Sequence, residues 1–201
     1  MSDPYDPLKT FKEYIEAIAI AILLALVIRS FVVQAFKIPS GSMLQTLQIG
    51  DQLLVTRFSY DIKVPFTDIS IIRTGTPENG DIVVFRYPED PALDFIKRVA
   101  GVPGDVLEMR NKVLYRNGVK VDEPYVQHVD PVNIPIRDSW GPITVPEDKY
   151  FALGDNRENS RDSRYWGFVD RDALVGEALI IYWSWDKDFS PRWNRIGTIL
   201  R

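Results

Sequence analysis

The chain has 201 residues with 24 lysines and arginines, 28 aspartates and glutamates and a formal net charge of -4; its basic residues are scattered and outnumbered, which excludes nucleic acid as a partner. It has no cysteine, so disulfides, thiol catalysis and a cysteine-held zinc are excluded; its one histidine argues against a histidine-held metal, and no cofactor is expected. A hydrophobic content of 45% suits one soluble domain with a single core plus an appendage.

Residues 1–10, with Asp3, Pro4, Asp6 and Pro7, read as a short disordered lead. From Phe11 the pattern turns helical, and Ala17 to Ile28 is apolar on every side. Those residues cover only about 18 Å of a hydrocarbon core roughly 30 Å thick. Phe11, Tyr14 and Ile15 extend the segment on one side and Phe31 to Val33 on the other, with Lys12, Glu13, Glu16 and Arg29 able to reach the interface. A membrane-spanning helix over 11–30 is expected. A cleaved signal is disfavoured, because no small-x-small site follows the apolar run before Arg29. Lys9 and Lys12 at one end balance Arg29 and Lys37 at the other, so charge leaves the orientation open.

Next comes Ile38-Pro39-Ser40-Gly41-Ser42-Met43-Leu44, a corner where the backbone must bend and a hydroxyl can be presented. By itself this is ordinary turn composition. A serine becomes a nucleophile only when a neighbouring base takes its proton. The single histidine, His128, lies in a polar stretch between prolines and reads as a solvated loop. The base for Ser42 would then be a lysine or a carboxylate, and a Ser-Lys pair is the leading form.

Beyond the corner the period turns to two. Gln52 to Arg57, Asp81 to Tyr87, Asp94 to Ala100 and Leu174 to Trp183 read as strands, and Gly50-Asp51, Gly80-Asp81 and Gly104-Asp105 mark turns. In the third run Lys97 is in phase with Phe95 and Val99, so a strand points it with two apolar neighbours. A dry setting disfavours the ammonium form and can bring the amine toward neutrality. Ile96 and Ala100 make the other face apolar too, so a snorkelling strand lysine stays open as an alternative. Val113 to Val121 carries Asn117-Gly118 between alternating residues, a hairpin signal. Residues 122–148, with five prolines, read as an irregular excursion.

The run from Gly154 to Gly167 is dense in hydrogen-bonding side chains and follows the apolar Tyr150 to Leu153. It fails the spacing of a calcium loop, since Arg157 occupies the third position from Asp155 and no glycine the sixth. An ordered polar loop with an Asp162–Arg164 pair fits. The C-terminal stretch from Tyr182 to Trp193 holds three of the five tryptophans and suits either a membrane interface or core packing.

The serine corner, Gly80 to Phe85, Lys97 to Asp105 and Gly154 to Gly167, in this order, resemble the boxes of the type I signal peptidases, or leader peptidases. The likeness runs from about Arg29 to the C-terminus. It implies a mainly β fold: a signal-peptidase-like β-barrel or sheet catalytic domain over 31–201, with a reduced second β region at about 106–148 and one N-terminal transmembrane helix. It implies a plasma (inner) membrane location, with the N-terminus cytoplasmic and the catalytic domain outside. It further implies a serine endopeptidase in which Ser42 is the nucleophile, Lys97 the general base, Ser160 the group orienting the lysine, Ser40 with the Ser42 N–H the oxyanion hole, and Asp162 with Arg164 a structural ion pair. Phe36, Ile38, Met43, Leu47, Phe95 and Ile96 would line shallow pockets for small substrate residues. Implied partners are the signal peptides of exported precursors and membrane lipid, with the export channel an open question. Gln45 stands where most members have proline. Two rivals are a self-cleaving regulator of the repressor type and a membrane-anchored β scaffold without catalysis.

Overall fold

The computed structural model describes residues 7–31, 33–63 and 70–200. Helix α1 spans Pro7–Phe31. It starts earlier than the sequence reading placed it, because proline lacks an N–H that the first turn would leave unbonded anyway and its fixed φ suits that position. The rest of the expected lead lies outside the described residues. Side chains from Phe11 to Leu24 are exposed, so the helix stands clear of the β body. Among the described residues no helix is long and apolar enough to cross a membrane. Lys9, Lys12, Glu13 and Glu16 interrupt the first half of α1, and the side chains of 25–31 lie outside the described set.

The remainder is mainly β: β1 (Val33–Lys37), β2 (Asp51–Thr56), β3 (Asp61–Lys63), β4 (Ser70–Arg73), β5 (Ile82–Tyr87), β6 (Asp90–Gly101), β7 (Val106–Arg110), β8 (Val113–Arg116), β9 (Val119–Lys120), β10 (Trp140–Thr144), β11 (Lys149–Leu153), β12 (Val169–Asp170) and β13 (Leu174–Ser184), with a one-turn helix α2 (Ser163–Trp166). Seven strands form one antiparallel sheet in the order β1-β2-β13-β5-β6-β11-β12. A second sheet, β10-β7-β8-β9, contains the expected hairpin, with Asn117 (φ 54) and Gly118 (φ 79) in the left-handed conformations that a primed turn needs. The 122–148 segment is not irregular throughout, since Trp140–Thr144 adds an edge strand to β7. Pro142 is tolerated there because an edge strand can spare an N–H and the register shifts between Trp140 and Ile143.

Two features of the large sheet position the site. Among the described residues β1 is an edge, paired with β2 alone. β6 pairs with β5 over most of its length, whereas β11 reaches only Arg98 to Gly101, which among the described residues leaves Asp90 to Lys97 paired on one side. The core is built from alternate residues of these strands. One cluster holds Ile38, Met43, Leu47, Leu53, Val55 and Ile181 beneath the corner after β1, and another holds Val83, Phe85, Val99, Tyr150 and Val169. Fully burying each such side chain is worth about 1.5–3 kcal/mol, which fixes the strands on either side of the site.

Candidate active site

The corner after β1 is held by backbone and by core together. Ile38 N donates to Asp51 O at 2.9 Å and Gly50 N to Ile38 O at 3.0 Å, which extends the β1–β2 pairing past Lys37. Met43 and Leu47 then plug the core, with Leu47 N bonded to Met43 O at 2.8 Å, so the turn between them is anchored from below. Ser42 sits on this anchored turn and is 8% exposed; Ser40 is exposed at its rim. The Leu44-Gln45 peptide bond is cis.

Lys97 lies on β6, 4% exposed, and its Nζ donates to Ser42 Oγ at 2.8 Å and to Ile96 O at 2.9 Å. The contact closes a sequence separation of 55 residues between the corner after β1 and strand β6. The Phe95 ring centroid is 5.3 Å from Nζ. Burial pushes the amine down from its ordinary 10.5 to about 8, against the pull of the Asp162 and Asp155 carboxylates, which favour the charged form. Each of those carboxylates is matched by an arginine. Arg98 donates Nε and Nη2 to Asp155 at 3.0 and 2.9 Å, and Arg164 donates Nε and Nη2 to Asp162 at 2.8 Å each. The Asp162–Arg164 pair is therefore formed and buried.

Ser160 is buried beside Ser42, but the hydrogen bond expected between it and the lysine is not formed; its Oγ has no partner among the described residues. Two of the three donor positions on Nζ are taken by Ser42 and by the Ile96 carbonyl, which lies one residue away on the same strand. Gly154 stands between the two serines. A Cβ there would lie 2.2 Å from Ser160 Oγ and 2.5 Å from Ser42 O, so only glycine fits.

Of the proposed pocket residues, Ile38, Met43 and Leu47 are buried in the cluster below the corner, with Phe36 and Ile96 half-buried against it. Phe95 points the other way, as strand alternation requires, and stacks on Tyr87 at 4.2 Å in the neighbouring cluster. Sequence reading missed three contributors. Besides Gly154, Asn156 braces the corner by donating its N to Ser42 O (3.1 Å) and Nδ2 to Gly41 O (3.0 Å). Asp155 accepts from Thr46 Oγ1 at 2.5 Å. The crowding of polar side chains after Leu153 signals such a loop without telling which residue each one meets.

Residues 11–183 match the family model described as signal peptidase, peptidase S26. The chain is 38% identical to the signal peptidase I of Pseudomonas fluorescens, over 93% of this chain and 78% of that protein. It is 40% identical to a probable signal peptidase I-2 of Synechocystis, over 88% and 75% respectively. A crystal structure of a signal peptidase I from Enterococcus faecalis aligns with 52% of this chain and 97% of its own, at 34% identity and a TM-score of 0.45. The match extends through the serine corner, Lys97 and the polar loop, and the chain belongs to the signal peptidase family, peptidase S26.

Proposed function

We propose that the chain is a membrane-anchored serine endopeptidase that removes signal peptides from exported precursors, with Ser42 as nucleophile and Lys97 as general base. The observation that carries this is the 2.8 Å contact between Lys97 Nζ and Ser42 Oγ, with the amine buried and its pKa lowered to about 8. A neutral Nζ takes the hydroxyl proton as Oγ bonds to the scissile carbonyl carbon. The carbonyl oxygen becomes an oxyanion, received by the Ser42 N–H and the Ser40 hydroxyl. The tetrahedral carbon then expels the amine of the mature chain, which takes its proton from Nζ. Water repeats the sequence on the ester, giving its proton to Nζ, and Ser42 is restored as the carboxylate of the signal peptide leaves.

The unpaired edges of β1 and of the first half of β6 suit an extended substrate bound as an added strand. Phe36, Ile38, Met43, Leu47, Phe95 and Ile96 would shape the pockets for its small side chains, and Ser160 would orient the amine once its hydroxyl turns to Nζ. Helix α1, with its exposed Ile18, Ile20, Ile22, Leu23 and Leu24, would be the anchor that keeps 31–201 outside a plasma membrane. The cluster of Trp183, Trp185 and Trp193 would rest on the lipid. Cleavage of a model precursor in detergent by the wild-type chain, lost in Ser42→Ala without loss of folding, is the expected result; cleavage by the alanine variant would overturn the assignment.

A further inference from the structure

Past Val121, which packs on the core of the second sheet, the segment 121–139 leans on the site. Val129, Val132, Ile134 and Ile136 are all exposed. Besides bonds to Asn111 and Lys112 in the β7–β8 turn, a set of polar contacts ties the segment to the loop 154–160. Gln127 N donates to Asp155 O at 2.9 Å and Gln127 O accepts from Arg157 N at 3.4 Å, so the two chains run side by side like paired strands. The Glu123 carboxylate receives Arg157 Nη2 and Nη1 at 2.5 and 3.1 Å, while Arg157 Nε donates to Gly154 O at 3.1 Å. The buried Glu158 carboxylate accepts from Lys112 Nζ at 2.9 Å and Val129 N at 3.1 Å, and lies 2.8 Å from His128 Nδ1. The Tyr125 ring covers the Arg98 guanidinium at 3.8 Å.

The loop needs such support. Its only regular element is a three-residue 3-10 turn at Arg157–Asn159, too short to hold its own shape. Yet Gly154, Asn156 and Ser160, on either side of that turn, are the residues that meet Ser42. We infer that the segment 121–139 is a strap that positions the catalytic loop, with Glu158 and Glu123 as positioning residues that act through Ser160 and Arg157 without touching the reacting atoms. The inference rests on the Ser42–Lys97 reading of the site.

The test is steady-state cleavage of a model precursor by the full chain and by Glu158→Gln, from about pH 6 to about pH 10. The variant keeps the shape of the side chain and removes the charge that gathers Lys112, His128 and the Val129 N–H. The strap predicts a kcat lower by about tenfold with KM within about twofold, since Ser42 and Ser160 lose registry while the β1 and β6 edges do not move. The rising limb of kcat moves to higher pH, as water reaches Lys97 and loosens the Asp155–Arg98 and Asp162–Arg164 pairs facing it. Unchanged kcat and limb with only a lower Tm would overturn the inference. Should Glu158→Gln fail to fold, His128→Asn, at the exposed side of the same cluster, is read in the same way: a smaller loss of kcat with the same displacement supports the strap, and a wild-type profile overturns it. An inactive wild-type chain, or an active Ser42→Ala, counts against the protease reading; an active wild type with insensitive strap variants counts against the strap alone.

Discussion

Arg98 holds Asp155 with two guanidinium nitrogens, at 3.0 and 2.9 Å, on the strand whose preceding residue is Lys97. Alternation along β6 thus sends one cation to the serine and the next to a carboxylate that would otherwise hold that lysine in its charged form. The same division recurs at Asp162, whose charge is taken by Arg164. Two anions thus lie close to the buried amine, each paired with an arginine that does not titrate in this range and that offsets part of its field.

Removing one arginine therefore exposes the lysine to an uncompensated anion. Arg98→Met is expected to destabilise the fold by about 3–5 kcal/mol, because it leaves Asp155 buried without its partner. At permissive temperature it should also move the rising limb of the pH–rate profile upward. Urea denaturation and the pH dependence of cleavage check the two effects separately.

Gly154 is expected to tolerate no side chain. The Cβ of Gly154→Ala would press on Ser42 O and Ser160 Oγ, and at least the first is backbone that cannot swing aside. A loss of about 1–3 kcal/mol in stability is expected, with a larger proportional loss of kcat than of substrate binding. A variant with wild-type kcat would show that the two serines do not need this spacing.

The buried lysine should itself be a cost to stability. Its folded value near 8 lies below the ordinary 10.5, so at pH 7 the native state carries the whole desolvation penalty of the ammonium. As pH rises from about 8 to 10.5 the native chain releases a proton that the unfolded chain keeps, and stability rises across that window. Lys97→Met should be inactive and yet melt higher than wild type at pH 7, by roughly 2–4 °C for each kcal/mol relieved, with the gap narrowing from about pH 8 and smallest at and above 10.5. Calorimetry at the two pH values checks the sign.

The tryptophan cluster gives a separate prediction. Trp183 packs edge-on against Trp185 and Trp193, at 5.2 and 5.8 Å, while Trp193 and Phe189 remain 70% and 80% exposed. Such aromatic exposure suits an interface where one edge is apolar and the other wet. In vesicles of brominated phospholipid, Trp193→Phe should remove most of the quenching of tryptophan fluorescence, and Trp140→Phe, in the second sheet, very little. Equal effects would detach this surface from lipid.

Much of the site could be read from residue type and phase. The corner at Ser40 to Met43, the strand phase of Lys97 and the hairpin at Asn117-Gly118 are local patterns, and local chemistry produces them. Family resemblance supplied the meeting of Ser42 with Lys97. Sheet order could not be read, because β13 inserts between β2 and β5, and period-two alternation states that a residue faces a core without naming the neighbouring strand. Partner choice in the polar loop was equally hidden. Asp155, Asn156, Arg157 and Glu158 are adjacent in sequence and face Arg98, Gly41, Glu123 and Lys112, four partners set by tertiary packing. The strand Trp140–Thr144 was obscured by Pro142, which only an edge position accommodates.

The central claim is that Lys97 acts as a neutral base on Ser42. It is tested most directly by single-turnover cleavage of a model precursor as a function of pH, with wild type and Lys97→Arg side by side. The wild-type rate should climb through a limb near pH 8, set by deprotonation of the amine, while the arginine chain, whose guanidinium stays charged, makes no product at any pH. Product formed by Lys97→Arg with the same limb would contradict the claim.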